Sequence, residues 1–304
     1  MFAPSPQVTV TVEQIEGAPD VHLHAGGQGF WQARMIAALG SPVTLCCALG
    51  GETGQVLRHL MEGPGVEVRA RQVAARNAAY VHDRRDGERE PIAEMTPDKL
   101  TRHDQDDLYE LTVVAALEAG VAVLSGSADT ATEEVVPVSV YERLAADLTG
   151  NGCRVVVDLA GARLAAALEG GPTVVKVSHE ELLEDGRADS DTQADLLRAA
   201  RAIAEQGVEL VVVSRAEKPA IAVCADGAMT VTSPRFETVD TRGGGDSMTA
   251  GLAAAMAQGE DVPAALRLGG AAGALDVTRH GLGSGGGEAV RALTERVKVE
   301  PLDG

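Results

Sequence analysis

The chain has 304 residues, of which 45 are acidic and 26 basic, so its formal net charge is −19. This surplus of negative charge repels polyanions, which argues against nucleic acid or an anionic membrane as a partner. No apolar run reaches the length of about 18 residues that a membrane-spanning helix requires. The four cysteines lie in apolar segments and form no CxxC pair. Neither a zinc site nor a disulfide framework is therefore indicated, and we expect a cytoplasmic protein.

Two segments in the first third of the chain alternate apolar with polar residues, which is typical of half-exposed strands. They are residues 7–25 (QVTVTVEQIEGAPDVHLHA) and residues 66–95 (VEVRARQVAARNAAYVHDRRDGEREPIAEM). The chain returns to another pattern after each of them. We therefore expect a small β-sheet lid, inserted into one domain that spans residues 1–304.

The remaining chain alternates short apolar runs with helix-like segments. The apolar runs cover residues 42–49, 120–127, 153–161, 172–178 and 208–215, and helices that close on glycine cover residues 29–40, 140–152 and 191–207. Strands that are apolar throughout and separated by helices predict an α/β fold, with a central parallel sheet and helices on both faces. Residues 220–234 predict an additional hairpin that turns at Asp226-Gly227.

Three consecutive glycines, Gly243, Gly244 and Gly245, precede a run rich in Ala, Leu and Met that ends at Gly259. The run predicts a helix, so the glycines lie at its N-terminus, where bare backbone N–H groups and the helix dipole favour an anion. Asp246 would lie in the first turn, where a carboxylate can accept the proton of a hydroxyl that attacks a phosphoryl group. The structural alternative is that Asp246 caps the helix and the glycines form a tight turn.

The segment DTRGGGD at residues 240–246 resembles the DTxGAGD signature of the ribokinase-like, or PfkB, carbohydrate kinases. Residues 25–54 (AGGQGFWQARMIAALGSPVTLCCALGGETG) resemble the family's other signature. VLSGS and residues 155–182 resemble its 1-phosphofructokinase and tagatose-6-phosphate kinase branch. The resemblance implies a ribokinase-like fold, ATP and Mg²⁺ as cofactors, and a sugar or sugar phosphate as acceptor. It also suggests a monovalent cation as a further cofactor and a homodimer that pairs through the lid.

The resemblance assigns roles to residues near the phosphoryl groups. It implies that Asp246 is the catalytic base and that the three glycines form the anion hole. The family's NxxE element falls on Ser178 and Glu181, and Glu181 would act on Mg²⁺ through water. Cofactor-binding roles also fall on residues of the motif start and of the adenine slot, which are Asp240, Thr241, Ser214, Gly270 and Gly273. The structural alternatives are an exposed helix start for Glu181 and helix packing for the glycines of the slot.

The acceptor site departs from the family pattern. Contacts to the acceptor are expected from Gly26, Gly27, Gln28, Trp31 and Arg76. Gln28 replaces the family's lysine, Trp31 its sugar-binding asparagine, and Thr9 its aspartate, which argues for a different acceptor. Trp31 either stacks on a sugar or packs in the core. The lid arginines, which are Arg76, Arg84, Arg85 and Arg89, either bind a phosphorylated substrate or belong to a solvated hairpin.

These residues predict an ATP-dependent kinase that phosphorylates a hydroxyl of a sugar or sugar phosphate. The alternative is a nucleotide- or sugar-binding sensor that has kept the fold and lost turnover. Three departures from the family pattern favour this alternative: Ser178 replaces its asparagine, Ala216 replaces one of its glycines, and the acceptor site is altered. The presence of Asp246 argues against it.

Overall fold

The structure of the protein is a computed structural model that describes residues 1–63, 65–87, 89–126, 135–239, 242–279 and 281–302. Its strands, numbered in chain order, are β1 (Gln7–Ile15), β2 (Ala18–Gly26), β3 (Val43–Gly50), β4 (Val66–Val73), β5 (Ala79–Asp83), β6 (Glu90–Met95), β7 (Val121–Ser125), β8 (Arg154–Asp158), β9 (Val174–Ser178), β10 (Leu210–Arg215), β11 (Lys218–Cys224), β12 (Gly227–Thr232) and β13 (Lys298–Pro301).

The helices are α1 (Gln28–Ala38), α2 (Gly51–Leu60), α3 (Arg102–Ala119), α4 (Val138–Gly150), α5 (Gly161–Glu169), α6 (His179–Glu184), α7 (Gln193–Ala204), α8 (Gly244–Ala257), α9 (Val262–Asp276) and α10 (Gly287–Leu293). A 3₁₀ turn at Thr294–Arg296 follows α10. Among the described residues, no helix combines the length and the apolar content that crossing a bilayer requires.

The central sheet runs in the order β13-β12-β11-β10-β9-β8-β7, and the strands from β10 to β7 are parallel. The parallel pair β3-β4 lies beyond β7, and Phe2 forms bridges to both Cys46 in β3 and Leu124 in β7. Strands β11, β12 and β13 are antiparallel, and Gly227 has φ +115 at the turn between β11 and β12. The predicted parallel sheet and hairpin are both confirmed.

Both faces of the central sheet are covered, because neighbouring residues of one strand point to opposite sides. Val155 and Val157 of β8 belong to a hydrophobic cluster with α3, α4, α5 and α7. Val156, between them, belongs to a second cluster with α1, α8 and α9. Burial on both faces explains why these strands read as uninterrupted apolar runs.

The small sheet has the order β2-β1-β5-β6 and forms the lid. Its inner face carries Thr9, Tyr80 and His82, which line a large cleft. Its outer face carries Val21 and Leu23, of which 54% and 50% are exposed. The lid therefore presents polar and aromatic groups to the cleft and apolar groups to the outside.

The predicted lid segment at residues 66–95 needs a correction. Residues 79–83 and 90–95 form the lid strands β5 and β6, but residues 66–73 form β4, which pairs in parallel with β3. An edge strand of the central sheet is half-exposed, as a lid strand is, and its residues alternate in the same way. The period of two therefore could not distinguish the two locations.

Candidate active site

A cleft of about 960 Å³ opens between the lid, the start of α1, the carboxyl ends of β9 and β10, and the N-terminus of α8. Segments that are distant in the chain meet here, at the edge of a parallel sheet where ligands commonly bind. Most of the predicted site residues line this cleft: Gly27, Gln28, Trp31, Ser178, Glu181, Ser214, Gly243, Gly244, Gly245, Asp246, Gly270 and Gly273.

The glycine run begins α8. Gly243 is the N-cap and has φ +79, a left-handed conformation that favours glycine. A Cβ atom on Gly243 would lie 2.7 Å from Asp276 Oδ2, and one on Gly245 would lie 2.8 Å from Lys176 Nζ. Both contacts are too short for a side chain, so the bare backbone lets the side chains of Asp276 and Lys176 approach. The N–H groups of the first turn have no carbonyl one turn earlier in the helix, which suits them to bind an anion.

Asp246 lies in the first turn of α8 and lines the cleft. The N-cap is Gly243, so Asp246 does not cap the helix. Desolvation and, after it, the charge of Asp158 raise the pKa of Asp246 to about 8. Lys176 and the hydrogen-bonding amides of Gln32 and Gln28 act in the opposite direction. A carboxyl group whose pKa lies near the working pH is suited to general base catalysis.

A buried ion pair lies close to the glycine backbone, and sequence reasoning missed it. Lys176 Nζ lies 3.2 Å from Asp158 Oδ1, and the two side chains are 6% and 1% exposed. Thr249 Oγ1 donates a hydrogen bond of 2.6 Å to Asp158 Oδ2. Burial alone would lower the pKa of Lys176, but three neighbouring carboxylates, foremost Asp158, outweigh burial and raise it. The ammonium group therefore stays charged.

A signal for this pair is present in the sequence. Asp158 ends the apolar run of β8, Lys176 interrupts the apolar run of β9, and the two are register partners in adjacent strands. A charge in a buried strand needs a partner. Opposite charges on two consecutive apolar strands therefore predict an ion pair once the strands are taken to be neighbours.

Ser178 and Glu181 connect β9 to α6 by a reciprocal capping box. Ser178 Oγ accepts a hydrogen bond from the Glu181 N–H at 3.1 Å, and Glu181 Oε2 accepts one from the Ser178 N–H at 2.7 Å. These bonds begin α6 and hold the glutamate in the wall of the cleft. Its structural role is thus visible, while its role toward a metal ion stays a prediction.

The two glycines of the expected adenine slot are packed against protein atoms. A Cβ atom on Gly270 would lie 2.9 Å from Ser233 Oγ, and one on Gly273 would lie 2.7 Å from the carbonyl oxygen of Gly244. Close packing of α9 therefore explains their small size. Both also line the cleft, so their contact with a nucleotide stays a prediction.

The loop after β10 bounds the same side of the cleft. Ser214 lies beside Ser178 in the register of β10 and β9, and both line the cleft. Ala216 has φ +49, a conformation that favours the glycine of the family pattern. The predicted cofactor-binding residues Asp240 and Thr241 lie outside the described residues.

The start of α1 carries the expected acceptor residues. Gly27 is the N-cap of α1 with φ +101, and a Cβ atom on Gly26 would lie 2.7 Å from Thr9 Oγ1. Gln28 and Trp31 line the cleft and are partly exposed. Trp31 also packs against a hydrophobic cluster of the domain. One part of its side chain therefore contacts the core, and another part lines the cleft.

Arg76 is not among the residues that line the cleft. It follows β4, and its guanidinium group forms hydrogen bonds of 3.0 and 3.2 Å with the Asp98 carboxylate, with 56% of the arginine side chain exposed. Arg85 pairs with Asp83 on the lid. Arg89 does line the cleft. Of the lid arginines, Arg89 is thus better placed than Arg76 to meet an acceptor.

Three arginines lie near His82, on the inner face of the lid, although the protein is strongly acidic. Desolvation lowers the pKa of the buried His82, and the charges of nearby arginines lower it further. These arginines are Arg89, Arg242 and Arg84. An anionic group in this part of the cleft would meet a favourable local field.

Comparison with known proteins identifies the family. A family model described as "pfkB family carbohydrate kinase" matches residues 6–287. The chain belongs to the pfkB family. The 1-phosphofructokinase of Escherichia coli (strain K12) is 28% identical, over 92% of this chain and 89% of its own. ATP-dependent 6-phosphofructokinase isozyme 2 of Mycobacterium tuberculosis is 27% identical, over 99% of this chain and 89% of its own.

Solved structures share the fold of this pfkB protein. Phosphofructokinase-2 from Escherichia coli, in complex with fructose-6-phosphate, has a TM-score of 0.82 at 24% identity and covers 97% of each chain. Arabidopsis thaliana ribokinase, complexed with ribose and ATP, has a TM-score of 0.75 at 22% identity and covers 97% of each chain. The predicted ribokinase-like fold is confirmed, and membership of the pfkB family makes this protein an ATP-dependent carbohydrate kinase.

Proposed function

We propose that this kinase transfers the γ-phosphoryl group of ATP to a hydroxyl group of a sugar or sugar phosphate. Asp246 accepts the hydroxyl proton while the hydroxyl oxygen bonds to the γ-phosphorus and the bond to the bridging oxygen of ADP breaks. The amides of Gly243, Gly244 and Gly245 stabilise the charge on the phosphoryl oxygens. The observation that carries the proposal is that Asp246 and these amides share the first turn of α8 and line one cleft.

The charged groups around α8 support this assignment. Lys176 Nζ approaches Gly245, so its ammonium group can offset the negative charge of the transferred group. Glu181 would hold Mg²⁺ together with water and the substrate phosphates, and the ion would neutralise phosphate charge. In the described ranges of the chain, no group of three or more His, Cys, Asp or Glu side chains is arranged to hold a metal ion. A monovalent cation is included because a structure of Escherichia coli phosphofructokinase-2 contains potassium.

An already phosphorylated acceptor is supported by the arginine charges near His82. The relatives named as phosphofructokinases point to the same class. Gln28 and Trp31 replace the lysine and asparagine of the family pattern. For this reason we do not propose one particular sugar.

The experiment is an ADP-release assay with fructose 1-phosphate, fructose 6-phosphate, ribose and adenosine as acceptors. We expect turnover of at least one acceptor and a decrease of about 10²–10⁴-fold in kcat for Asp246→Asn, with ATP still bound. Asp226→Asn, in the exposed hairpin turn, is the control and keeps the wild-type rate. Turnover at the wild-type rate by Asp246→Asn would contradict the mechanism.

A sensor without turnover is the second candidate. It is favoured by Ser178, which stands where the family pattern has asparagine, and by the changes at Gln28 and Trp31. The same assay separates the two candidates: binding of ATP with no phosphorylation of the four acceptors supports the sensor.

We also propose a homodimer that pairs through the outer face of the lid. Val21 and Leu23 pair with Val12 and Val10 on this face, which places four apolar side chains side by side. Burying them against a second copy would remove this apolar surface from water. Sedimentation should show a dimer that Leu23→Asp dissociates. Val114→Asp, at an equally exposed valine of α3, should leave the dimer intact; a monomeric wild type contradicts the proposal.

A further inference from the structure

Two glutamines of α1 face Asp246. Gln28 and Gln32 lie one helical turn apart, so they project from the same face of the helix. Gln32 Nε2 lies 3.3 Å from Asp246 Oδ1, and the Gln28 amide is near enough to lower the pKa of the same carboxyl group. Gln28 lines the cleft, whereas Gln32 does not and is fully buried. Gln32 therefore reaches the carboxylate from inside the protein.

The amide of Gln32 joins two carboxylates. Its Nε2 also donates a hydrogen bond of 2.7 Å to Asp158 Oδ2. The two N–H groups of the amide therefore donate to different carboxyl groups, one to Asp158 and one to Asp246. The opposite orientation of the amide would bring Oε1 against oxygens of both Asp158 and Asp246. Charge thus fixes which way the amide points.

The carbonyl oxygen of the Gln32 amide argues against a purely structural role for this residue. Gln32 Oε1 is buried and has no hydrogen-bond partner within the part of the chain that the structure describes. A buried carbonyl without a partner lowers stability, and an apolar side chain of similar size would avoid that penalty. The advantage of glutamine at this position therefore lies in its two N–H groups.

We propose that Gln32 is a positioning residue, which holds the Asp246 carboxylate in a fixed place relative to Asp158. The anchor is rigid, because Asp158 also accepts hydrogen bonds from Lys176 Nζ at 3.2 Å and Thr249 Oγ1 at 2.6 Å. The role rests on the proposed function, since it matters for catalysis only if Asp246 is the base. One buried network then sets the position of the base and of the ammonium group beside the glycines.

Replacing Gln32 by methionine isolates the hydrogen bond. The charged groups that face Asp246 are Asp158 from β8 and Lys176 from β9, and Glu181 of α6 faces that pair. All of these remain in the variant. Asp246 loses a donor that favours its ionised form, so its titration should move to higher pH.

The first test requires no substrate. Infrared difference spectra of wild type minus Asp246→Asn follow the titration of this carboxyl group, with a wild-type midpoint expected near pH 8. Gln32→Met should raise the midpoint. Gln258→Met is the matched control, because the Gln258 amide bonds to Leu39 O and Ser41 Oγ at the far end of α1 and should not affect the midpoint.

The second test measures turnover of whichever acceptor reacts fastest among fructose 1-phosphate, fructose 6-phosphate, ribose and adenosine. Gln32→Met should lower kcat about 10- to 100-fold at pH 7, the range for losing a hydrogen bond to a charged group. Part of this loss should return at pH 9, and KM should change little because Gln32 does not line the cleft. Gln28→Met should raise KM as well.

An unshifted midpoint in Gln32→Met, or an equal loss of kcat at pH 7 and pH 9, overturns the role of Gln32. Asp246→Asn separates this failure from a larger one. Normal turnover by Asp246→Asn defeats the proposed function, whereas an inactive Asp246→Asn beside an unshifted Gln32→Met defeats only the role of Gln32. Should Gln32→Met not fold, Gln32→Asn withdraws the amide by one carbon and should shift the midpoint in the same direction.

Discussion

The glycine side and the lid side of the cleft are built in different ways. On the glycine side, backbone N–H groups of α8 and the buried pair of Asp158 and Lys176 define the site. On the lid side, partly exposed side chains at the start of α1, such as Gln28 and Trp31, define it. A site made from backbone and buried charge tolerates few changes, whereas a site made from surface side chains can change its ligand and keep its fold. We therefore expect phosphoryl transfer and acceptor choice to be separable in this molecule.

The largest effect is expected from Lys176→Met on the glycine side. The variant leaves the Asp158 carboxylate buried without its partner, which should lower the free energy of unfolding by about 3–5 kcal/mol. Lys218→Met removes the exposed pair with Asp191 and should leave stability close to that of the wild type. Denaturant unfolding compares the two. Equal stability of both variants would show that the buried pair does not hold this side together.

Gly243→Ala tests the backbone of the glycine side. A left-handed alanine costs about 1–2 kcal/mol, and the new Cβ atom would also collide with Asp276 Oδ2 at 2.7 Å. Gly259→Ala at the other end of α8 has a similar φ of +74 but nothing within 4 Å. We expect kcat to fall about 10²–10³-fold in Gly243→Ala. Gly259→Ala should lose stability only, and a similar kcat in both variants would contradict the anion hole.

The contrast between the two sides also explains what could be predicted from the sequence. The strands of the central parallel sheet followed from apolar runs, and the start of α8 followed from three glycines, because both signals are local. The position of β4 could not be predicted, since an edge strand and a lid strand share one period. That Arg76 is not among the residues lining the cleft could not be predicted for a related reason: it follows β4, and its partner Asp98 lies 22 residues further along the chain. Gln32 carries no local signal, because its partners come from β8 and α8.

The pH dependence of the reaction tests the electrostatics of the glycine side. Asp246 must be ionised to accept a proton, and desolvation raises its pKa to about 8. kcat/KM, which reports the free enzyme, should therefore rise about tenfold between pH 7 and pH 9 and then level off. A profile that is flat over this range would show that Asp246 titrates at its ordinary value or is not the base.

Trp31→Leu tests the lid side, where a smaller effect is expected. Trp31 is partly exposed in the cleft, so an acceptor that stacks on its ring should bind more weakly without it. Stacking contributes about 0.5–1.5 kcal/mol beyond burial, which corresponds to a rise in the acceptor KM of about 2- to 10-fold. The KM for ATP and the kcat should not change. A fall in kcat without a change in KM would contradict this role and indicate that Trp31 acts in phosphoryl transfer, as the glycine side is expected to do.

The smallest effect is expected at Ala216, in the loop after β10. This alanine has a left-handed backbone conformation that is typical of glycine. Its φ of +49 strains an alanine, and glycine relieves that strain but loses more entropy on folding. Ala216→Gly should therefore raise stability by about 0.5–1 kcal/mol, measured as a higher Tm. Ala257→Gly, at the exposed end of α8, should lower it by a similar amount. A Tm that falls in both variants would show that the backbone at Ala216 is not strained. It would also contradict the interpretation that this alanine stands in place of a glycine.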